Sequence, residues 1–137
     1  MKKTLKISVS VLIAFVLVLC AVACAQKVPA EGLWENAAYR SDATLGSGAK
    51  EVKVDVEVGE YKITLTLKTD AATLGEALYD EGVINDAAFF DTCNGIKADW
   101  NADQAYWGFY QGEEYMPHGV NDETISGGES YRIVYTK

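Results

Sequence analysis

Two consecutive stretches of alternating residues constrain the fold of this chain most. Valines at every second position of residues 52–58 alternate with charged side chains, and residues 61–68 alternate apolar side chains with Lys and Thr in the same way. A period of two places one set of side chains on each face of a strand. Gly59 and Glu60 separate the stretches as a tight turn. The sequence therefore predicts an antiparallel hairpin with one face toward a core.

A short helix is predicted after the hairpin. Leu74, Ala77 and Leu78 recur at the spacing of one helix face. The T-x-x-E sequence that begins at Thr73 is a capping box, which satisfies amide donors at a helix start. Gly82 lies where a glycine in the left-handed conformation would end the helix.

Further strands are expected in the second half of the chain. Residues 89–93 and 96–98 flank an Asn-Gly pair, which is typical of a type I′ hairpin turn. Residues 105–111 are rich in aromatic side chains, and residues 131–136 alternate in the manner of a final strand. A hairpin, one packed helix and several more strands predict an α+β domain with a mixed sheet.

The first 23 residues have the layout of a bacterial lipoprotein signal peptide. Lysines within the first six residues precede an apolar run over residues 7–23. The sequence AVAC that ends at Cys24 resembles a lipobox, in which the cysteine receives a lipid. We therefore expect a protein that is lipid-anchored on the extracellular face of the bacterial cell membrane. Plain secretion, with cleavage after Ala23 or Ala25, is the alternative.

The predicted mature chain divides into a tether and a domain. Residues 24–49 lack a sustained period and are rich in small and polar residues, as in a linker. Trp34 and Tyr39 depart from that composition, and packing of both on the domain is left open. The folded domain is predicted over residues 50–137. With Cys24 lipidated, Cys93 has no partner for a disulfide; without lipidation, a disulfide between the two is the alternative.

The acidic balance of the chain limits its partners. Three of its 12 lysines and arginines lie in the first six residues, so residues 24–137 keep 9 against 20 acidic side chains, a net charge of −11. Nucleic acid and anionic headgroups repel such a surface. We expect no nucleic-acid partner, and membrane contact through the N-terminal lipid only.

Few catalytic or metal-binding templates fit the sequence. His118 is the only histidine, and the phosphate-loop and dinucleotide glycine patterns are absent. Residues 99–103 match the first half of a calcium loop, but Gln104 and Tyr110 occupy positions that require Gly and Glu. A surface turn is favoured there over a calcium site. We expect no enzyme, no metal site and no resident cofactor.

The aromatic segment over residues 100–115 is the richest candidate for a binding surface. On a strand, Trp107 and Phe109 would point to one side, and Tyr106 and Tyr110 to the other. The more apolar pair is predicted to face the core, so Trp107→Ala should cost about 3–5 kcal/mol. The two tyrosines, with Gly108 between them, would form a platform for a flat ligand. Burial of both faces is the alternative.

Several motifs resemble the transcobalamin C-terminal-like family, also called domain of unknown function 4430, in its bacterial lipoprotein members. The resemblance spans residues 50–137 and implies a β-grasp fold, a mixed sheet packed on one short helix. The motifs that carry it are YWGFY (106–110), GV (119–120), I-x-x-G-E-x-Y (125–131), T-D-x-x-T-L-G-E-A-L (69–78) and N-G-I-K-A-D (94–99).

In the vertebrate cobalamin carriers of that family, the matching domain covers one face of the corrin ring near this aromatic strand and the loop after it. By position, the resemblance implies ligand contacts from Trp107, Phe109, Tyr110, Tyr115, Met116, Pro117 and His118. Trp107 can serve both core and ligand if it lies at the strand's end with one edge exposed.

The resulting prediction is a lipid-anchored extracellular binding module. Its ligand would be a cobamide, which is a cobalamin-like molecule, or a similar flat compound presented to an uptake transporter. The alternative is a cell-surface module that interacts with a protein or a glycan and takes no small-molecule ligand.

Overall fold

The computed structural model describes residues 27–137, so the predicted signal peptide and Cys24 lie outside the described residues. Helix α1 covers Leu74–Asp80 and helix α2 covers Trp100–Asp103, and Gly32–Asn36 and Val120–Asp122 form short 3₁₀ helices. No helix in this part of the chain is long and apolar enough to cross a membrane. The strands are β1 (Ala43–Gly46), β2 (Lys50–Val58), β3 (Tyr61–Thr69), β4 (Thr92–Cys93), β5 (Ile96–Lys97), β6 (Tyr106–Gln111), β7 (Glu114–Tyr115) and β8 (Ser130–Thr136).

Six strands form one mixed sheet in the order β1-β3-β2-β8-β6-β7, and β4 and β5 form a separate hairpin. Strand β2 pairs antiparallel with β3 and parallel with β8, so the first long strand and the last lie side by side in the centre. Helix α1 follows the β2–β3 hairpin along the chain. This is the β-grasp arrangement, and the predicted α+β class with a mixed sheet and a short helix is confirmed.

The predicted hairpin is present, with its turn at Gly59 and Glu60 as predicted. Val58 pairs with Tyr61 across a turn in which Gly59 has φ +63°, a conformation that glycine adopts without strain. The inward-facing side chains of both strands are buried in the core; they are Val52, Val54, Val56, Val58, Ile63, Leu65 and Leu67.

The helix also begins and ends where the sequence predicts. The Thr73 Oγ1 accepts a hydrogen bond from the Glu76 amide at 3.2 Å. Gly82 follows the helix with φ +71°. Leu74, Leu78 and the alanine between them are fully buried against the sheet, because the helix presents this face to it.

The Asn-Gly turn is confirmed, but the strand before it is shorter than predicted. Asn94 and Gly95 have φ +53° and +77°, as a type I′ turn requires. Only Thr92–Cys93 and Ile96–Lys97 pair. Residues 89–91 form a loop instead of strand, because the Asp86 carboxylate accepts two backbone N–H bonds and bends the chain.

The predicted tether over residues 24–49 is a misassignment for its described part, much of which is folded. Trp34 is 4% exposed within the core, and its Nε1–H donates to the Val58 carbonyl at 3.1 Å. Strand β1 pairs in parallel with the outer edge of β3. The buried Asn94 side chain bonds both the amide and the carbonyl of Tyr39 at 2.8 Å. Isolated contacts, and not a repeating pattern of buried side chains, hold this segment on the domain. Its sequence therefore shows no sustained period.

Cys93 lies in the core and is fully buried. Burial raises the pKa of its thiol, because the thiolate would lose its solvation there. Within residues 27–137 it forms no disulfide.

Candidate ligand groove

One open groove, of about 350 Å³, collects most of the residues that the aromatic segment implied. One wall is strand β6 with the loop over residues 115–120, and the other is the loop over residues 88–90. We call this concavity the ligand groove. Its lining residues are Ala88, Phe89, Phe90, Trp107, Phe109, Tyr115, Met116, Pro117, His118, Gly119 and Val120.

The inner face of β6 forms the floor of the ligand groove. Phe109 is buried, and its ring packs 5.6 Å from the ring of Tyr131. Trp107 is half-buried, and its ring meets Tyr135 edge-on at 5.5 Å. Its Nε1–H donates to the Asp91 carbonyl at 3.0 Å. Trp107 therefore packs on the core and also lines the groove. This position is compatible with both expectations for the residue, core packing from the strand pattern and ligand contact from the resemblance.

Tyr110 lies on the opposite face of the sheet and does not line the ligand groove. Its ring packs edge-on against Tyr115 at 5.3 Å, and the Arg132 guanidinium lies 5.2 Å above it. A Cβ on Gly108 would come within 3.0 Å of the Tyr110 ring, so the glycine makes room for that ring. Tyr115 is exposed and its ring packs on Tyr110, and it also lines the groove. The structure thus brings six of the seven implied residues together.

A hydrogen-bonded chain runs from His118, at the polar end of the ligand groove, to two residues behind the groove lining. His118 Nε2 lies 2.9 Å from Glu123 Oε1, and Glu123 Oε2 accepts the Tyr131 hydroxyl at 2.8 Å. Burial raises the pKa of Tyr131, and the hydrogen bond and negative charge of Glu123 raise it further. The sequence motifs implied neither Glu123 nor Tyr131 as a site residue. Tyr131 belongs to a quoted motif, but nothing local in the sequence indicates its contact with Glu123.

The loop opposite β6 contributes the most exposed aromatic side chain of the described residues. Asp86 Oδ1 accepts the amides of Ala88 and Phe89 at 2.8 and 3.0 Å, and these bonds lower the pKa of Asp86. Phe89 is 91% exposed, while Phe90 packs partly on the core. The sequence predicted a strand from residue 89, so this loop was missed. A local signal for it exists, because an Asp whose carboxylate can bond the amides two and three residues later favours a turn.

Gly75 sets how closely the two walls approach each other. A Cβ at this position would lie 2.6 Å from the Ala87 carbonyl oxygen and 3.0 Å from the Asn121 Cα. The Leu74 amide also donates to the Glu123 carbonyl at 2.9 Å. The first turn of α1 therefore packs between the loop of Phe89 and the loop of His118.

The half calcium loop has a structural role. The Asp99 carboxylate accepts the Ala102 amide at 3.0 Å and caps helix α2, and Gln104 ends that helix with φ +54°. Across residues 27–137, no three His, Cys, Asp or Glu side chains are grouped in a way that could hold a metal ion.

Other concavities have fewer features of a ligand site. One of about 450 Å³ lies beside Leu33, Trp34 and Tyr61, and another of about 400 Å³ is lined by threonines of the outer sheet face. Neither includes a histidine or a side chain as exposed as Phe89. The ligand groove combines an apolar lining with a hydrogen-bonding end, which is typical of small-molecule sites.

No family model and no curated protein sequence matches the chain. Among solved structures, a candidate metal-binding protein from Ruminococcus gnavus superposes with a TM-score of 0.60 at 23% identity, over 65% of this chain and 98% of that one. Haptocorrin in complex with Cbi gives a TM-score of 0.45 at 18% identity, over 68% of this chain and 26% of haptocorrin. The likeness to the bacterial protein establishes a shared fold. The molecule is thus a β-grasp domain with one candidate ligand groove.

Proposed function

We propose that this chain is a non-enzymatic binding module that holds a flat ligand in the ligand groove, with a cobamide as the first candidate. The observation that carries the proposal is the position of Phe89. A phenylalanine left 91% exposed adds nothing to the core, and it lies across the groove from the half-buried Trp107. Exposed aromatic surface beside an apolar concavity marks an interaction site.

Two further observations support binding of a flat molecule. Aromatic rings favour stacked or edge-on contact with other planar groups, and Phe89 and Trp107 offer such rings from the two walls. The cobamide is chosen on the sequence resemblance, which implied six of the residues that line the groove. Presentation to an uptake transporter belongs to the same proposal.

The polar groups of the groove support binding instead of catalysis. A histidine paired with a carboxylate can act as a base, but it needs a nucleophile or a substrate proton within reach. No Ser, Cys, Thr or Lys is among the described residues that line the groove.

The proposal is tested by calorimetric titration of the protein with a panel of cobamides and cobinamide. We expect heat of binding with the parent and roughly fivefold weaker binding for Phe89→Ala, since a ring contact contributes on the order of 1 kcal/mol. Tyr79→Ala is the matched control, because Tyr79 is also exposed but lies on helix α1 outside the groove. Absence of heat with every corrinoid would exclude the cobamide.

A protein- or glycan-interaction module is the second candidate, because a second aromatic surface lies outside the groove. Trp100 is 61% exposed and packs edge-on against the exposed Tyr106, with ring centroids 6.3 Å apart. Aromatic pairs of this kind are enriched at interfaces. Binding to a glycan array or a surface protein that is lost in Trp100→Ala, and kept in Phe89→Ala, would favour this function.

We also propose that the protein is exported and anchored through a lipid on Cys24, which lies outside the described residues. Replacing Cys24 with Ser should release the protein into the medium or stall its processing. A membrane fraction unchanged by Cys24→Ser would refute lipidation at this residue.

A further inference from the structure

The hydrogen-bonded chain at the polar end of the ligand groove links His118, Glu123 and Tyr131. An ionised carboxylate only accepts hydrogen bonds. Glu123 uses one oxygen for the Tyr131 hydroxyl, at 2.8 Å, and the other for His118 Nε2, at 2.9 Å. Both partners must therefore donate, which places a proton on His118 Nε2.

Tyr131 keeps the Glu123 carboxylate in place. Its side chain is 2% exposed, and its hydroxyl makes no hydrogen bond to the described residues other than the one to Glu123. A buried donor without an acceptor is costly, so this bond is kept. The carboxylate is thereby fixed between the core and the wall of the groove.

The other ring nitrogen of His118 is available to a ligand. His118 lines the groove and is partly exposed, and its Nδ1 makes no hydrogen bond within residues 27–137. In a neutral imidazole, one nitrogen donates and the other accepts, and the partner of the first decides the tautomer. With Nε2 protonated, Nδ1 is an acceptor.

We propose that Glu123, held by Tyr131, sets the tautomer of His118 so that Nδ1 accepts a hydrogen bond in the groove, and that the groove selects flat ligands with an N–H or O–H donor at this position. This inference rests on the proposed function and deepens it. Glu123 and Tyr131 are positioning residues, and His118 makes the contact.

The tautomer can be observed without any ligand, because His118 is the only histidine of the sequence. In protein with ¹⁵N-labelled histidine at about pH 8, long-range ¹H–¹⁵N correlation spectra distinguish the two ring nitrogens of a neutral imidazole. We expect the proton on Nε2 in the parent. A proton mainly on Nδ1 would overturn the inference, whatever the variants do.

Glu123→Gln should reverse the tautomer. The Tyr131 hydroxyl needs the amide carbonyl, so the amide NH₂ faces His118 and turns Nε2 into an acceptor. Tyr131→Phe is the matched control, since it leaves the carboxylate as the acceptor and should keep the proton on Nε2. A tautomer unchanged in Glu123→Gln would contradict the role assigned to Glu123. Thermal melts check that each variant is folded before its tautomer is compared.

Ligand selection is tested with two probes that share one ring. Dicyanocobinamide carries amide donors at its edge, and dicyanocobyrinic acid heptamethyl ester has esters that cannot donate. We expect the parent to bind the amide probe about fivefold to tenfold more tightly, as one hydrogen bond provides, and Glu123→Gln to lose this preference. Equal binding of both probes to the parent overturns the inference and leaves the proposed function intact. If neither probe binds, the proposed function fails, and selection at His118 fails with it.

Discussion

The two faces of strand β6 have the same aromatic character but different roles. On the inner face, Phe109 and Trp107 pack against residues of β8 and line the ligand groove. On the outer face, Tyr110 contacts Tyr115 and Arg132 on the open side of the sheet. The difference shows that an aromatic-rich strand has no single function. The inner face joins the core to the site, while the outer face holds the β6–β7 hairpin together.

The largest effect should come from the buried ring of the inner face. Phe109→Ala removes a phenyl group from the core and leaves a cavity, so the free energy of unfolding should fall by about 3–5 kcal/mol. That is a large share of the roughly 5–15 kcal/mol that stabilise a typical domain. Urea denaturation measures it, with Phe109→Leu as the control that keeps most of the volume. A loss below about 1 kcal/mol would contradict the burial of this face.

Trp107→Ala should cost less than Phe109→Ala, about 2–3 kcal/mol, because the indole is half-buried and already partly in water. This loss is smaller than the roughly 3–5 kcal/mol that the sequence predicted for Trp107→Ala. Trp107→Phe distinguishes the contribution of ring packing from that of the hydrogen bond to the Asp91 carbonyl, because it keeps an aromatic ring but removes the N–H donor. If Trp107→Ala proves more damaging than Phe109→Ala in the same urea melts, the indole contributes more to the core than its exposure indicates.

Tyr110→Ala tests the outer face. It removes one edge-on aromatic contact and one cation–π contact at an open surface, together about 1–2 kcal/mol. Because Tyr110 does not line the groove, affinity for a ligand should stay unchanged in calorimetry. Weaker binding without a loss of stability would place a ligand on the outer face. That result would support the sequence-based prediction that Tyr106 and Tyr110 form a platform for a flat ligand.

Phe89→Ala should have the smallest effect on stability, within about 0.5 kcal/mol, since an exposed side chain gives up little on truncation. Its thermal melt should overlay that of the parent, even though the variant binds ligand less tightly. A clear fall in melting temperature would mean that Phe89 stabilises the loop over residues 88–90, so that its exposure would no longer indicate a binding role.

Local sequence signals predicted the parts of the fold that depend on neighbouring residues. The capping box at Thr73, the Asn-Gly turn and the alternation within β2 and β3 each involve contacts a few residues apart. The packing of Trp34 under Val58 and the clamp between Asn94 and Tyr39 join residues 24 and 55 positions apart. No periodicity encodes such contacts, so the N-terminal segment was misassigned.

The candidate site shows the same limit. Residues 115–118 were implied together because they follow one another along the chain. Phe89 reaches the groove from a separate loop, and Glu123 meets His118 only because the short 3₁₀ helix at 120–122 turns the chain back. A sequence motif therefore located one wall of the groove, while the second wall and the carboxylate depend on tertiary packing.

The burial of Cys93 has a consequence for chemical labelling. A thiol that is enclosed by the core and whose pKa is raised by burial reacts with alkylating reagents only when the surrounding structure opens. Cys93 precedes Asn94, whose side chain holds the segment at Tyr39. Its alkylation rate would therefore report how often the core opens locally around the β4–β5 hairpin, a motion that the unfolding curve of the whole domain does not resolve.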